Sequence, residues 1–346
     1  MSELDILFKE INKKFGDEVA TLGVKPKNYE LLKFSSPRMN YCLYGGLPRY
    51  RLIQFAGPFG SGKTTSVCDI IANYQKEKDA KEVVYIDNEQ TFDEQWANTL
   101  GVDTKKIRLV QPEGANDIQI FQMVLDIVKT GEVGIVVIDS LATLVPEQVA
   151  DEDMDKQQRG GIAKSLAMFL NKIIPLLKKN ECTLICLNQV RDSMDPYKMF
   201  TIPGGKALEH HSSVILIFQR GQFFDMKGKP LSSSSPNPFG NYVNASVYKT
   251  KVCRPDRKLG FYTLTYTKGI DAVSDTVDCG IEFGMIIQRG AWFNLVDIDT
   301  GELLTDDEGE PLKFQGREKV LDYFRNNIDA YNKLYNKVME ELNNGK

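Results

Sequence analysis

The stretch 52–65, LIQFAGPFGSGKTT, constrains this chain more than any other. Gly57-Pro58-Phe59-Gly60-Ser61-Gly62-Lys63-Thr64 satisfies G-x-x-x-x-G-K-[ST], follows an apolar strand-like run and, with Thr65, opens a helical one, the context this motif requires. The glycines let backbone N–H groups curl around phosphates, and the helix N-terminus adds positive potential. In that arrangement Lys63 neutralises the β- and γ-phosphates of a nucleoside triphosphate and the Thr64 hydroxyl ligates Mg2+. The motif thus predicts a strand, a phosphate clamp and a helix in immediate succession, within a parallel sheet.

The rest of the chain supplies that sheet. Apolar strand-like runs alternate with helical runs from about 40 to 270, and the first of them are continuous and rich in Val and Ile, as strands covered on both faces should be. Helices are predicted over Thr64–Glu77, Asp93–Thr99, Ile118–Lys129 and Ala163–Lys179, giving a mostly parallel α/β sheet flanked by helices, with antiparallel additions at one edge. Residues 222–241, crowded with Ser, Pro and Gly, read as an irregular hairpin excursion. Residues 1–34 read as an amphipathic helix and a polar segment, and the chain beyond about 275 as a small mixed α/β unit. The organisation expected is therefore 1–34 as an N-terminal helical arm, 35–270 as the core and 271–346 as a small C-terminal domain.

Composition excludes several classes. No apolar run approaches the roughly 20 residues of a membrane span, and the charged N-terminus is no secretory signal, so a cytoplasmic protein is expected. The six cysteines are scattered without a C-x-x-C pair, and His210 and His211 are the only histidines, which argues against a zinc site. A net charge of −4 argues against a generally basic nucleic-acid binder but leaves room for a local basic surface.

Companions to the clamp are expected at strand ends. VGIVVIDS supplies Asp139 as a metal-side carboxylate. VVYIDNEQTF offers Asp87 and Glu89 to orient an attacking water; their i, i+2 spacing does not choose between them, and a turn after Asp87 would separate their roles. TLICLNQV ends in Asn188 and Gln189, amides able to report a γ-phosphate by a hydrogen bond.

In order and spacing, GGLPRYRLIQFAGPFGSGKTT, YIDNEQTFDEQWANTLGVD, VVIDSLATLVP, LICLNQVR and PGGKALEHHSSVILIFQR resemble the RecA recombinase family, and KKFGDEVATLG and VDCGIEFGMIIQRGAWFN resemble its N-terminal and C-terminal segments. The resemblance spans about residues 5 to 335 and implies a RecA-type ATPase core. It implies that Glu89 activates the water, that Asp93 and Trp96 touch the adenine, that Gln189 senses the γ-phosphate and that Tyr266 is a second adenine-side aromatic. It also implies that Lys249 and Lys251 reach the ATP of the adjoining subunit, where two cations could act as an arginine finger does. Without it, a Lys-x-Lys pair reads as a solvated strand face.

Two segments then match the family's DNA-binding loops in position: 147–164, with Arg159, Gly160, Gly161 and Lys164, and 191–206, with Arg191, Met194, Tyr197, Lys198, Met199, Phe200, Gly204, Gly205 and Lys206. Cations, glycines and apolar wedges together suit sequence-tolerant binding of single strands. The acids of the first loop would repel phosphate, and the second loop is about two residues shorter than usual. The implied activity is DNA-stimulated ATP hydrolysis within a helical filament on single-stranded DNA that pairs with homologous double-stranded DNA. The ending MEELNNGK, without a long acidic tail, suggests a divergent member, from a phage or mobile element and then acting in host cytoplasm. The alternatives are a RecA-fold hexameric helicase or other P-loop ATPase motor, an ATP-driven signalling kinase of the same fold, and a DNA-coating protein that has lost hydrolysis.

Overall fold

The structure, a computed structural model, describes residues 2–15, 29–147, 162–192, 200–297, 300–306 and 308–344. They fall into two compact units, Met1–Glu30 and Leu31–Lys346. In the first, helix α1 (Glu3–Phe15) carries acids in its first turn and lysines in its last, complementing the helix dipole. Leu4, Ile6 and Leu7 are exposed on it.

The second unit is built on a sheet of ten strands among the described residues, nine in one continuous order and the short strand Pro230–Leu231 paired off that path onto Val214–Phe224. In chain order its elements are β1 (Leu52–Gly57), α2 (Lys63–Tyr74), β2 (Glu82–Asp87), α3 (Glu94–Thr99), β3 (Ile107–Val110), α4 (Asp117–Lys129), β4 (Val133–Asp139), α5 (Ala163–Lys179), β5 (Thr183–Gln189), α6 (Gly205–His211), β6 (Val214–Phe224), β7 (Gly240–Thr250), β8 (Leu259–Thr265) and β9 (Gly269–Ile270). The spatial order is β9-β8-β7-β6-β1-β5-β4-β2-β3. The six strands from β6 to β3 are parallel, and β7, β8 and β9 continue antiparallel.

Alternate residues of each parallel strand enter two different cores, which is why these strands read as unbroken apolar runs. Ile53, Phe55, Val83, Val137 and Ile185 pack with Val67, Ile70 and Ile71 of α2. Leu52, Val84, Val136 and Leu184 pack with Ile120 and Val124 of α4 and Leu170 and Ile173 of α5. The facing rings of Phe121 and Phe169 stack at 4.6 Å. Helix α4 starts with a reciprocal capping box between Asn116 and Gln119.

Two expectations are corrected. The first predicted helix stops at Tyr74, because residues 75–77 turn away instead of continuing to Glu77. The excursion at 222–241 is narrower: β6 runs to Phe224, β7 begins at Gly240, and Pro230–Leu231 pairs back onto β6. Alternation there is obscured by a register shift between Arg220 and Phe223.

Beyond β9 come α7 (Ala272–Glu282), a three-stranded antiparallel sheet of β10 (Ile286–Arg289), β11 (Trp292–Leu295) and β12 (Lys313–Gln315), then α8 (Arg317–Asn326) and α9 (Ile328–Asn344). They share a core of Val277, Ile286, Phe293, Leu295, Val320, Leu321 and Phe324. Among the described residues no helix is long and apolar enough to cross a membrane.

Asp275 of α7 is buried and accepts from the Thr263 backbone N–H at 3.1 Å and the Thr263 hydroxyl at 2.7 Å, both at Oδ1. Burial pushes its carboxyl up to about 7, and burial likewise pushes Asp69 of α2 up to about 6. A folded-state pKa above the ordinary 3.8 means that the folded chain holds protons the unfolded chain has released. The contribution of these two carboxyls to stability therefore falls as pH rises from about 4 to about 7. Asp275→Asn keeps an acceptor at Oδ1 and cannot ionise, so its melting temperature should drop less than wild type between pH 5 and pH 8. Equal drops would contradict this account of Asp275.

Candidate nucleotide site and loop stems

The site forms where the parallel strands end. Gly57 and Gln189 are lateral neighbours on β1 and β5, and Asp87 and Asp139 on β2 and β4. A crevice at the C-terminal ends of parallel strands is where open α/β sheets bind ligands. Here it is a cleft of about 500 Å³ whose lining includes the phosphate loop, Glu89, Asp93, Trp96, Asp139, Gln189 and Tyr266.

The loop is shaped by its glycines and by β7 and β8 beneath it. Gly62 takes φ +96°, and a Cβ there would lie 2.8 Å from Val243 and 3.0 Å from the Tyr262 hydroxyl. That buried hydroxyl donates to the Gly62 carbonyl at 3.2 Å and shares a hydrogen bond with Ser66 at 2.9 Å, fixing the start of α2. Lys63 Nζ donates to the carbonyls of Gly57 and Pro58 at 2.9 and 2.8 Å. Burial lowers its pKa, opposed by Asp139 and Glu89. Phe59 is 90% exposed at the loop tip, and the Ser61 hydroxyl is buried without a partner.

Thr64 Oγ1 donates to Asp139 Oδ2 at 3.3 Å. The pair offers hard oxygen ligands. Among the described residues no three His, Cys, Asp or Glu side chains are grouped to hold a metal. That set fits Mg2+, which keeps water and phosphate oxygens in its shell and needs one or two protein oxygens. Burial raises the pKa of Asp139, and hydrogen bonds from Tyr85 and Thr64 oppose the rise.

A turn separates Asp87 from Glu89. β2 stops at Asp87, and Gln90 takes φ 54°. Asp87 is buried and accepts from the backbone N–H groups of Thr91 and Phe92 and from Gln111, so it organises the turn. Glu89 Oε1 instead accepts from Ser140 at 2.6 Å and from Gln189 Nε2 at 3.3 Å, inside the cleft. Asp93 caps α3 by accepting from the Trp96 N–H at 2.8 Å, while the Trp96 ring lines the cleft. Tyr266 donates to Asn241 Oδ1 at 2.7 Å.

Lys249 and Lys251 are not part of this cleft. Lys249 pairs with Ile215, which pairs with Gln54, and the Lys251 N–H meets the Ser213 carbonyl, so both lie toward the ends where β6 and β1 begin. Both ammonium groups cap the C-terminus of α6: Lys249 donates to the Glu209 and His210 carbonyls, and Lys251 to that of His210. Cations are favoured at such an end.

Of the DNA-loop residues, Arg159, Gly160, Gly161, Met194, Tyr197, Lys198 and Met199 lie outside the described residues. The loop stems are described. Asp117 staples the first: its carboxylate accepts from the Glu147 N–H at 2.9 Å and from the Ser165 hydroxyl, beside exposed Lys164. The second opens from Gln189 through a ladder of Arg191–Asp192 against Phe200–Thr201, and Asn188 Nδ2 donates to the Pro203 carbonyl at 2.7 Å. Gly204 and Gly205 take φ +101° and +72° as they turn the chain into α6, with Lys206 exposed in its first turn. Their backbone conformation thus requires glycine irrespective of any phosphate.

Sequence reasoning missed Tyr85, Ser140, Arg220, Asn241 and Asp117. Arg220 and Asn241 reach the cleft only because β6 and β7 run past the level of Gly57. Nothing in the sequence showed that Asp117, beside the Asn116–Gln119 capping box, ties two distant segments.

The chain resembles known proteins in sequence and fold. The RecA N-terminal domain family matches residues 2–271. Protein RecA of Clostridium acetobutylicum is 30% identical over 348 residues, covering 99% of this chain and 92% of that protein. Protein RecA of Streptomyces avermitilis is 31% identical over 349 residues, covering 99% and 85%. The crystal structure of the RadB recombinase superposes with a TM-score of 0.51 at 20% identity, covering 69% of this chain and 98% of that one, a likeness of fold.

Proposed function

Because this chain belongs to the RecA family, we propose that it polymerises on single-stranded DNA as a helical filament and pairs the bound strand with a homologous duplex, with ATP controlling its grip. It is an ATP-dependent recombination protein, and the hexameric-helicase alternative is not favoured, since relatives matched almost end to end are RecA proteins.

One observation carries the reading of ATP as a control of grip. Gln189 touches Glu89 in the cleft and is also the residue from which the second loop's ladder departs. A γ-phosphate taken up by Gln189 would shift the base of that loop, and loss of the phosphate would release it. In this scheme Glu89 orients the attacking water and Lys63 neutralises phosphate charge. Thr64 and Asp139 hold Mg2+, which when bound screens the developing charge. Residues 57–65 cradle the phosphates, and Asp93, Trp96 and Tyr266 face the base. Lys249 and Lys251 leave α6 to complete a neighbour's site. Residues 1–34 serve as the polymerisation arm, 35–270 as the ATPase core and 271–346 as the C-terminal domain. Lys164, Arg191, Phe200, Gly204, Gly205 and Lys206, with Arg159, Gly160, Gly161, Met194, Tyr197, Lys198 and Met199, form the DNA-facing surface, in the cytoplasm of a cell or of a phage's host.

The test is ATP hydrolysis with and without single-stranded DNA, with electron microscopy of the same mixtures. Stimulated hydrolysis and helical filaments are expected. Closed rings that unwind duplex would contradict the proposal.

A further inference from the structure

Tyr85 sits inside β2, in an apolar run, and is wholly buried. A phenol in that position needs a partner for its hydroxyl. It donates to Asp139 Oδ2 on the neighbouring strand β4 at 2.5 Å. Thr64 Oγ1 donates to the same oxygen, so both bonds converge on one side of the carboxylate.

The ring has a second contact. It packs against Phe92 at 4.9 Å and 60°. Phe92 lines the cleft beside Asp93 and Trp96, and its N–H is held by Asp87. One rigid side chain thus spans from the metal-side carboxylate to the wall expected to face the base. A Phe would fill nearly the same core volume but leave Asp139 held by Thr64 alone, at 3.3 Å.

We propose that Tyr85 is a positioning residue for the divalent-ion site, pinning Asp139 Oδ2 so that the carboxylate keeps one orientation toward a metal–nucleotide pair. This rests on the reading of the cleft as a Mg2+–ATP site. Groups that hydrogen-bond a ligating carboxylate orient it, and their removal weakens metal affinity without removing a ligand.

The experiment titrates a fluorescent ADP analogue against the full-length chain in EDTA and at increasing MgCl2. Wild type should bind more tightly as Mg2+ rises. Tyr85→Phe keeps the ring contact with Phe92, so its affinity in EDTA should stay within about twofold of wild type, while its Mg2+ midpoint should rise about tenfold. In an Asp139→Asn background the same change should produce no further shift in midpoint, because the two residues act through one bond. An unchanged or lowered midpoint in Tyr85→Phe would overturn the proposal. So would an equal loss of affinity with and without Mg2+, the mark of a general packing role. If wild type showed no Mg2+-dependent gain, the reading of the cleft would fail instead.

Discussion

Glu89→Gln will bind ATP and assemble on single-stranded DNA as wild type does, and will turn ATP over about 10²- to 10⁴-fold more slowly, the usual weight of a positioned general base. The substitution is nearly isosteric. Gln keeps a carbonyl oxygen able to accept from Ser140 and from Gln189, so the hydrogen bonds that place residue 89 survive. What it loses is the capacity to take a proton from water. The expected signature is therefore a fall in kcat with little change in nucleotide affinity. Asp87→Asn should behave differently, since Asp87 bonds to the Thr91 and Phe92 N–H groups and to Gln111 instead of facing a reacting atom. Unchanged turnover in Glu89→Gln would move the water-activating role elsewhere.

Replacing Lys249 and Lys251 together by Ala should lower DNA-stimulated hydrolysis by about 10³-fold, the lower range for a cation supplied to a phosphoryl-transfer site from a neighbour. Nucleotide affinity of an isolated protomer should be unaffected, because neither side chain lies in its own cleft. Within one chain the lysines cap α6, and losing that favourable cation–dipole contact should cost about 0.3–1 kcal/mol per charge. A small fall in melting temperature is thus expected and does not explain a thousandfold loss of turnover. If the isolated double variant no longer binds ATP, the lysines act within their own subunit and the across-interface reading is wrong.

The sheet and the clamp were legible for one physical reason: strands buried on both faces must be apolar throughout, so their polar ends stand out. Gly57, Asp87, Asp139 and Gln189 are such ends, and the fold aligns them at one edge. The separation of Asp87 from Glu89 was not legible, because it depends on a turn whose geometry, with φ 54° at Gln90, has no glycine to mark it. Tyr85 was hidden by the same rule that revealed the strand. In an apolar run a buried Tyr reads as core until its hydroxyl is seen to meet Asp139. Lys249 and Lys251 share a partner in His210, yet no spacing rule could have said that it is the carbonyl end of α6. Gly204 and Gly205 illustrate the converse: a pair that suits close approach to a phosphate chain is also demanded by the turn into that helix.

The central claim is that triphosphate in the cleft sets the chain's grip on a polynucleotide through Gln189. The most direct test is binding of the purified chain to a fluorescent single-stranded oligonucleotide, in Mg2+, with a non-hydrolysable ATP analogue, with ADP and with no nucleotide. The account predicts tight coating with the analogue and weaker, faster-dissociating binding in the other two states. Equal coating in all three would contradict it.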